Sequence, residues 1–299
     1  MNSELSFGIE LLGQGVANGL MYSLVALGFV LIYKATDAIN FAQGEFVMIA
    51  GIVISGFASQ AYGWPLWLAL FGGLVFMVVF NVALERVVLR PLIGRPIVAI
   101  IMATIGLAFI LRGLGPMVFG SAPRPINLPI PEIPVIVGPF FFNPIQLVGA
   151  GVSILFLLVF GWFFLKTRKG VAMRAVADSH QVSGAMGINV ERYFALAWVM
   201  AGIVAMLGGV LWGSMSGVDT QLALVGLKVF PVVILGGLDS IIGVIVGGII
   251  VGVSEALAAG FIDPYVGGGT KDFTPYVLMI IMLMIRPYGL FGRKLIERI

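Results

Sequence analysis

The amino-acid sequence predicts an all-α polytopic membrane protein of about eight transmembrane helices, with a broken or re-entrant Gly-Gly segment and one further helix on the cytoplasmic side. Three observations carry this. Of 299 residues, 60% are hydrophobic and 10% charged, against about 25% charged in a soluble domain. Apolar runs of roughly 20 residues, long enough to cross a bilayer as helix, recur along the chain. Glycine accounts for 41 residues, about twice its usual share of about 7%. In membrane helices that excess marks close helix–helix approach and local breaks.

The expected spans are 11–33, 41–60, 65–89, 97–119, 144–165, 192–214, 240–260 and 273–286, and the whole chain, 1–299, reads as a single transmembrane domain. The apolar piece at 222–237 is too short for a hydrocarbon core of about 30 Å at about 1.5 Å per residue. It is expected to dip in and return, ending at Gly236 and Gly237. No Lys or Arg precedes Lys34. A cleavable leader needs a basic start, so the first span is expected to be retained.

Orientation follows from the basic residues. One arrangement puts Lys34, Arg86, Arg90, Arg95, Lys166, Arg168, Lys169, Arg174, Arg192, Arg286, Arg293, Lys294 and Arg298 on one side, thirteen of the 17. The positive-inside rule makes that side cytoplasmic, with the N-terminus outside and the C-terminus inside. Arg112, Arg124, Lys228 and Lys271 remain outside or at membrane depth. The net charge of +3 is thereby explained by topology, without nucleic acid.

Polar residues inside apolar runs are the candidates for a translocation path. In the first span Gln14 and Asn18 accompany Gly15-x-x-x-Gly19, which reads as a helix-packing face or as one wall of a polar route. The second span opens on Asn40-Phe-Ala-Gln43-Gly44-Glu45. Asn40 is placed to cap that helix, and Glu45 in its first turn is favoured by the helix dipole. An acid entering a membrane still needs a partner or water. Gly243-x-x-x-Gly247 and Gly248-x-x-x-Gly252 share one span and predict a tight packing face. Gly236-Gly237 reads as a break whose free carbonyls and amides could hold a zwitterion. Glu255 is a second buried acid, either structurally paired or part of the path.

Eight of the 15 prolines fall between Pro116 and Pro144. Proline fixes φ and lacks an amide donor, so 116–144 is expected to be an extended periplasmic loop, a connector or a docking surface. Other chemistry is missing. With one histidine and no cysteine there is no transition-metal cluster. Neither HExxH nor GxSxG occurs, and without any Gly-Lys dipeptide no P-loop exists. No nucleophile–base pair suggests an enzyme, and no cofactor is expected on this chain.

Between Lys166 and Arg192 lies a polar island. Val171, Ala175, Val182 and Met186 fall on one stripe of a short helix, interrupted on the same face by Asp178. Gly170 precedes the stripe, and Gly184 with Gly187 closes it. Small apolar residues with Arg174 suit insertion into a groove on another protein. The basic flank Lys166, Arg168 and Lys169 equally suits a helix lying on the membrane.

Gly170-Val-Ala-Met-Arg-Ala-Val-Ala-Asp178, followed by Met186-Gly-Ile-Asn-Val190, resembles the cytoplasmic coupling segment of permeases of branched-chain amino acid ABC importers. Asn40-Phe-Ala-Gln-Gly-Glu45 is similar to the opening of that family's second span. Val232-Val-Ile-Leu-Gly-Gly-Leu-Asp-Ser240 resembles its Gly-Gly segment, and Arg286-Pro-Tyr-Gly-Leu-Phe-Gly292 its ending. His180 and Asp239 depart from the family pattern and leave the solute open, since relatives carry urea, amides and other amino acids. The resemblance implies a second homologous permease, two cytoplasmic ATPases holding ATP and Mg, and a periplasmic solute-binding protein, in a bacterial inner membrane. It makes 166–192 a coupling segment, with Gly170, Val171, Arg174, Ala175, Asp178, Val182, Met186 and Gly187 facing an ATPase. The contrasting reading is an ion-coupled carrier working alone through Glu45 or Glu255; a non-transporting scaffold fits the composition but not the broken Gly-Gly segment.

Overall fold

The structure, a computed structural model, describes residues 3–59, 62–92, 95–120, 122–131, 133–137 and 140–292. The expected inner-side residues Arg293, Lys294 and Arg298 lie outside the described residues. Helices are α1 (Ser3–Thr36), α2 (Gln43–Ala58), α3 (Leu66–Leu84), α4 (Ile97–Phe119), α5 (Pro144–Lys166), α6 (Arg168–Asp178), α7 (His180–Ala185), α8 (Val190–Ser216), α9 (Leu224–Gly236), α10 (Ile241–Phe261), α11 (Asp263–Val266) and α12 (Thr270–Ile285). A π turn (Glu85–Leu89) and a 3₁₀ turn (Arg90–Leu92) extend α3, and a second 3₁₀ turn (Thr220–Ala223) leads into α9.

Among the described residues six helices are long and apolar enough to cross a membrane: α1, α3 with its extension, α4, α5, α8 and α10. This is an all-α polytopic membrane protein. The other two expected spans, α2 and α12, are 16 residues each, or about 24 Å at about 1.5 Å per residue.

The chain forms two compact units. One comprises residues 1–26, 129–157 and 228–299; the other comprises 27–128 and 158–227. In the first, glycine decides the packing. A Cβ on Gly15 would come within 2.6 Å of the Val253 Cα, and one on Gly19 would collide with the Gly248 carbonyl. The Gly15-x-x-x-Gly19 face of α1 therefore lies backbone to backbone on Gly248 and Gly252 of α10. Ala17, Leu20 and Ala150, with Ile245 and Ile249, fill the adjoining apolar cluster. The other glycine pair of α10 serves a different neighbour: Gly243 and Gly247 meet Gly236 and the Val232 carbonyl of α9.

In the second unit α2 is the core. Every residue from Gln43 to Gly56 is buried, which fits a helix apolar all round. It packs on α8, α3, α4 and the Thr220–Ala223 turn. Phe46 meets Trp198 of α8 edge-on, with ring centroids 5.9 Å apart.

The two ends of the proline-rich segment belong to the flanking helices, as the expected spans 97–119 and 144–165 imply. Pro116 lies inside α4, which continues to Phe119, and Pro144 begins α5, the helix position where a missing amide costs nothing. Between them, Arg124 and Val218 form an isolated antiparallel bridge, and Val135–Val137 (β1) pairs antiparallel with Phe140–Phe142 (β2). Ile133, Ile136 and Phe141 are exposed there.

Candidate functional site

The opening of α2 gathers several buried polar residues of the second unit. Asn40 is fully buried, and its Oδ1 accepts from the Ala42 amide at 3.1 Å, a turn contact. It does not cap α2 as the sequence suggested. The helix begins at Gln43 after Ala42, with no side-chain cap, because the Asn40 oxygen is already spent two residues earlier. Its Nδ2 instead donates to Gln43 Oε1 at 3.4 Å, and Gln43 Nε2 donates to the Ala201 carbonyl of α8 at 3.3 Å. Gly44 lets the backbone of α2 press against Ala223 and Gly226. Glu45, 4% exposed, accepts a 2.6 Å hydrogen bond from Arg112 Nη2 of α4. This is the counter-charge that a buried acid requires.

The other unit has its own polar cluster. Tyr22 Oη donates to Glu255 Oε2 at 2.8 Å, while Glu255 Oε1 is buried without a hydrogen-bond partner among the described residues. Lys228 of α9 pairs with Asp272 of α12 at 2.6 Å. On α1, Gln14 donates to Glu10 at 3.1 Å and to the Phe141 carbonyl at 3.4 Å, whereas Asn18 Oδ1 is buried without a hydrogen-bond partner among the described residues.

Gly236 and Gly237 do not present free backbone. Leu290 donates to the Leu235 carbonyl at 2.9 Å and Phe291 to that of Gly236 at 3.1 Å, while the Gly237 carbonyl accepts from Ser240 at 3.0 Å. Gly237 takes φ 105°, open to glycine but to few other residues. The Gly-Gly segment is the seat on which the Arg286–Gly292 segment docks. Satisfying the last carbonyls of a helix is what such an end demands.

The polar island folds into two helices rather than one. Ser179 breaks it with extended backbone, and its side chain caps α7 by accepting from Val182 N. Thr167 caps α6 by accepting from Gly170 N. The face of α6 turned inward is Gly170, Met173 and Val176, with Gly170 against the Phe163 and Phe164 backbone. The predicted stripe points away: Val171, Val182 and Met186 are 51%, 62% and 78% exposed. Ala175 is half-buried and Asp178 exposed, and Gly187 turns the chain at φ 81°. Arg174 does not reach outward. Its Nη2 donates to the Leu165 carbonyl at 3.3 Å and its guanidinium lies over the Phe164 ring at 5.8 Å. It clamps α6 to the end of α5.

The family profile described as branched-chain amino acid transport system / permease component matches residues 11–285. This chain belongs to that family. The high-affinity branched-chain amino acid transport system permease protein LivH of Escherichia coli K12 is 30% identical over 100% of both chains. BraD of Pseudomonas aeruginosa, also described as a high-affinity branched-chain amino acid transport system permease protein, is 31% identical over 99% of both. Among solved structures, PsaBC from Streptococcus pneumoniae in complex with Fab aligns at TM-score 0.48 and 15% identity, covering 94% of both chains.

Both acids, Glu45 and Glu255, have partners that the sequence patterns did not pair with them. Arg112 partners Glu45, and Tyr22 partners Glu255. Arg112 carried a usable signal, a lone cation inside an apolar run. Tyr22 carried none, since its hydroxyl matters only once α10 lies against α1.

Proposed function

We propose that this permease is the membrane subunit of an ATP-driven ABC importer that takes up branched-chain or related amino acids by alternating access. A solute-binding protein would deliver the solute on the side of the proline-rich segment, where Ile133, Ile136 and Phe141 offer an apolar surface. Two ATPases would engage the opposite side, and a second, homologous permease would complete the membrane pore. The orientation rests on the positive-inside rule: N-terminus periplasmic, C-terminus cytoplasmic, in a bacterial inner membrane.

The observation that carries this reading is the outward apolar stripe of the α6–α7 hairpin. Val171, Val182 and Met186 are exposed on a segment whose opposite face is anchored by Gly170, Met173, Val176 and the Arg174 clamp. Burying a side chain such as Val or Met contributes about 1.5–3 kcal/mol, so a groove on an ATPase gains from accepting them. The chain has no P-loop of its own, which gives such docking its purpose. An ion-coupled carrier acting alone leaves the exposed stripe without a task.

Candidate residues for the path are Asn40, Gln43, Gly44, Glu45, Asn18 and Glu255. Gly236 and Gly237 support it as a rigid junction. The test is co-purification with the ATPases and second permease, then uptake of labelled L-leucine into proteoliposomes supplied with ATP and the binding protein. Uptake driven by an ion gradient in the chain alone would overturn the proposal.

A further inference from the structure

The unit built around α2 holds a cavity of about 200 Å³ that the transport path above does not use. Its floor is apolar: Leu89, Ile100, Phe194 and Trp198. An apolar cavity of about 150 Å³ admits benzene, so this one accommodates a branched aliphatic side chain.

The polar part of the lining is not uniform in charge. Glu85 is buried and held by Arg90 through two hydrogen bonds, at 3.2 and 3.1 Å, and Arg90 also pairs with Glu191 at 3.0 Å. These charges are engaged with one another. Two further charges line the cavity, Asp37 and Arg95, and among the described residues neither forms an ion pair. Asp37 stands just past α1 at φ 53°, a left-handed helix end that Asp is among the few side chains to accept, with its amide donating to the Tyr33 carbonyl at 2.8 Å. Among the described residues the lining thus offers one carboxylate and one guanidinium outside any ion pair, over an apolar floor. That is the complement of a zwitterion with an apolar tail.

His180, the first residue of α7, also lines the cavity and meets Phe194 edge-on at 5.0 Å. The cavity wall and the α6–α7 hairpin therefore share a contact, and moving the hairpin reshapes the cavity.

We propose that this cavity binds a zwitterionic α-amino acid with a branched apolar side chain, its carboxylate on Arg95 and its ammonium on Asp37, and that occupancy restrains the hairpin. The inference rests on the transport reading for the solute and for the hairpin's side of the membrane. A ligand shifts an equilibrium only by its different affinity for the two states. This ligand fits the arrangement in which His180 lies on Phe194, so accumulated solute on the hairpin side slows further turnover.

The experiment uses the assembled importer in nanodiscs without the solute-binding protein, and measures tritiated L-leucine binding and ATPase rate. Wild type is expected to bind L-leucine saturably, with an ATPase rate that falls as leucine rises. Arg95→Gln and Asp37→Asn should each weaken binding about tenfold or more, the factor that a lost hydrogen bond to a charged group commands. Ile100→Trp, which fills the floor and changes no charge, should remove both binding and inhibition. Wild-type binding and inhibition in Arg95→Gln and Ile100→Trp would overturn the inference. Binding-protein-dependent leucine uptake in proteoliposomes, with leucine-free buffer on the ATPase side, separates the two readings. Uptake without leucine binding in nanodiscs sinks this site and leaves the transport reading standing. Absence of uptake sinks the transport reading, while binding lost in the three variants would still support the site.

Discussion

Glu45 and Arg112 form a 2.6 Å ion pair that joins the buried helix α2 to α4. The two ends of the pair differ in setting, with Glu45 4% exposed and the Arg112 side chain 39%. Removing one partner of a fully buried pair costs about 3–5 kcal/mol; with Arg112 partly open, Glu45→Gln should cost about 1–3 kcal/mol. The double variant Glu45→Gln/Arg112→Gln should recover part of that loss, because no charge is left alone. Thermal melts in detergent read both. Additive losses in the double variant would show that the pair is not coupled.

The α1–α10 interface predicts a sharp contrast between glycines. Gly19→Leu drives a side chain into the Gly248 backbone, and overpacking of this kind costs about 1–3 kcal/mol or more. Gly106 of α4 has open space where its Cβ would be, so Gly106→Ala should be neutral or stabilising by up to about 1 kcal/mol. Equal melting temperatures for the two variants would refute the packing account.

These positions show what the sequence made legible. Apolar run length placed the long helices, and glycine spacing marked packing faces on α1 and α10, because both signals are local; that the two faces meet is a tertiary fact. The sequence places Asn40 as a cap of α2, but whether its oxygen takes the Ala42 amide or a later one depends on how the Ala38–Ala42 turn folds. Gly236-Gly237 read as free backbone because its partners, Leu290 and Phe291, lie more than 50 residues away. On the island, spacing marked Val171, Val182 and Met186 as a docking stripe, and they are exposed, but it did not show that Gly170 and Arg174 turn inward. The inner face, Met173 and Val176, was fixed by the close approach of Gly170 to α5, a tertiary contact.

The two faces of α6–α7 should separate in experiment. Val182→Glu and Met186→Glu alter exposed residues, so thermal stability should change by no more than about 0.5 kcal/mol. If the stripe seats in an ATPase, both should sharply reduce ATP-driven uptake. Val176→Asp buries an acid and should lower stability by about 2 kcal/mol or more. Arg174→Glu should behave like Val176→Asp, since it removes the Leu165 clamp. Full stability in Arg174→Glu with loss of uptake alone would return that arginine to the docking surface.

The seat under α9 predicts a specific cost of truncation. A chain ending before Leu290 leaves the Leu235 and Gly236 carbonyls without their 2.9 and 3.1 Å donors. Two such hydrogen bonds are worth about 1–3 kcal/mol in total, and the melting temperature should fall accordingly. A chain ending after Gly292 keeps both donors and should melt with the full-length protein. If the two truncations melt together, the docked segment is not what holds the end of α9.

Asp263, in the short α11 between α10 and α12, gives the acid response a testable origin. It accepts hydrogen bonds from the Thr270 hydroxyl and from the Thr270 amide, the latter at 2.9 Å. The hydroxyl first, then the amide, hold its carboxyl below the usual carboxylate range. A folded pKa lying below the unfolded value of about 3.9 contributes stability above that value, which is lost as pH falls through the folded pKa. Melting temperature should therefore drop as pH is lowered from about 5 toward 3, and the drop should be shallower in Asp263→Asn, which has no proton to take up there. Thr270→Val removes the hydroxyl donor but keeps the amide, so its acid response should fall between the two. Parallel curves for wild type and Asp263→Asn down to about pH 3 would assign the acid sensitivity to other carboxylates.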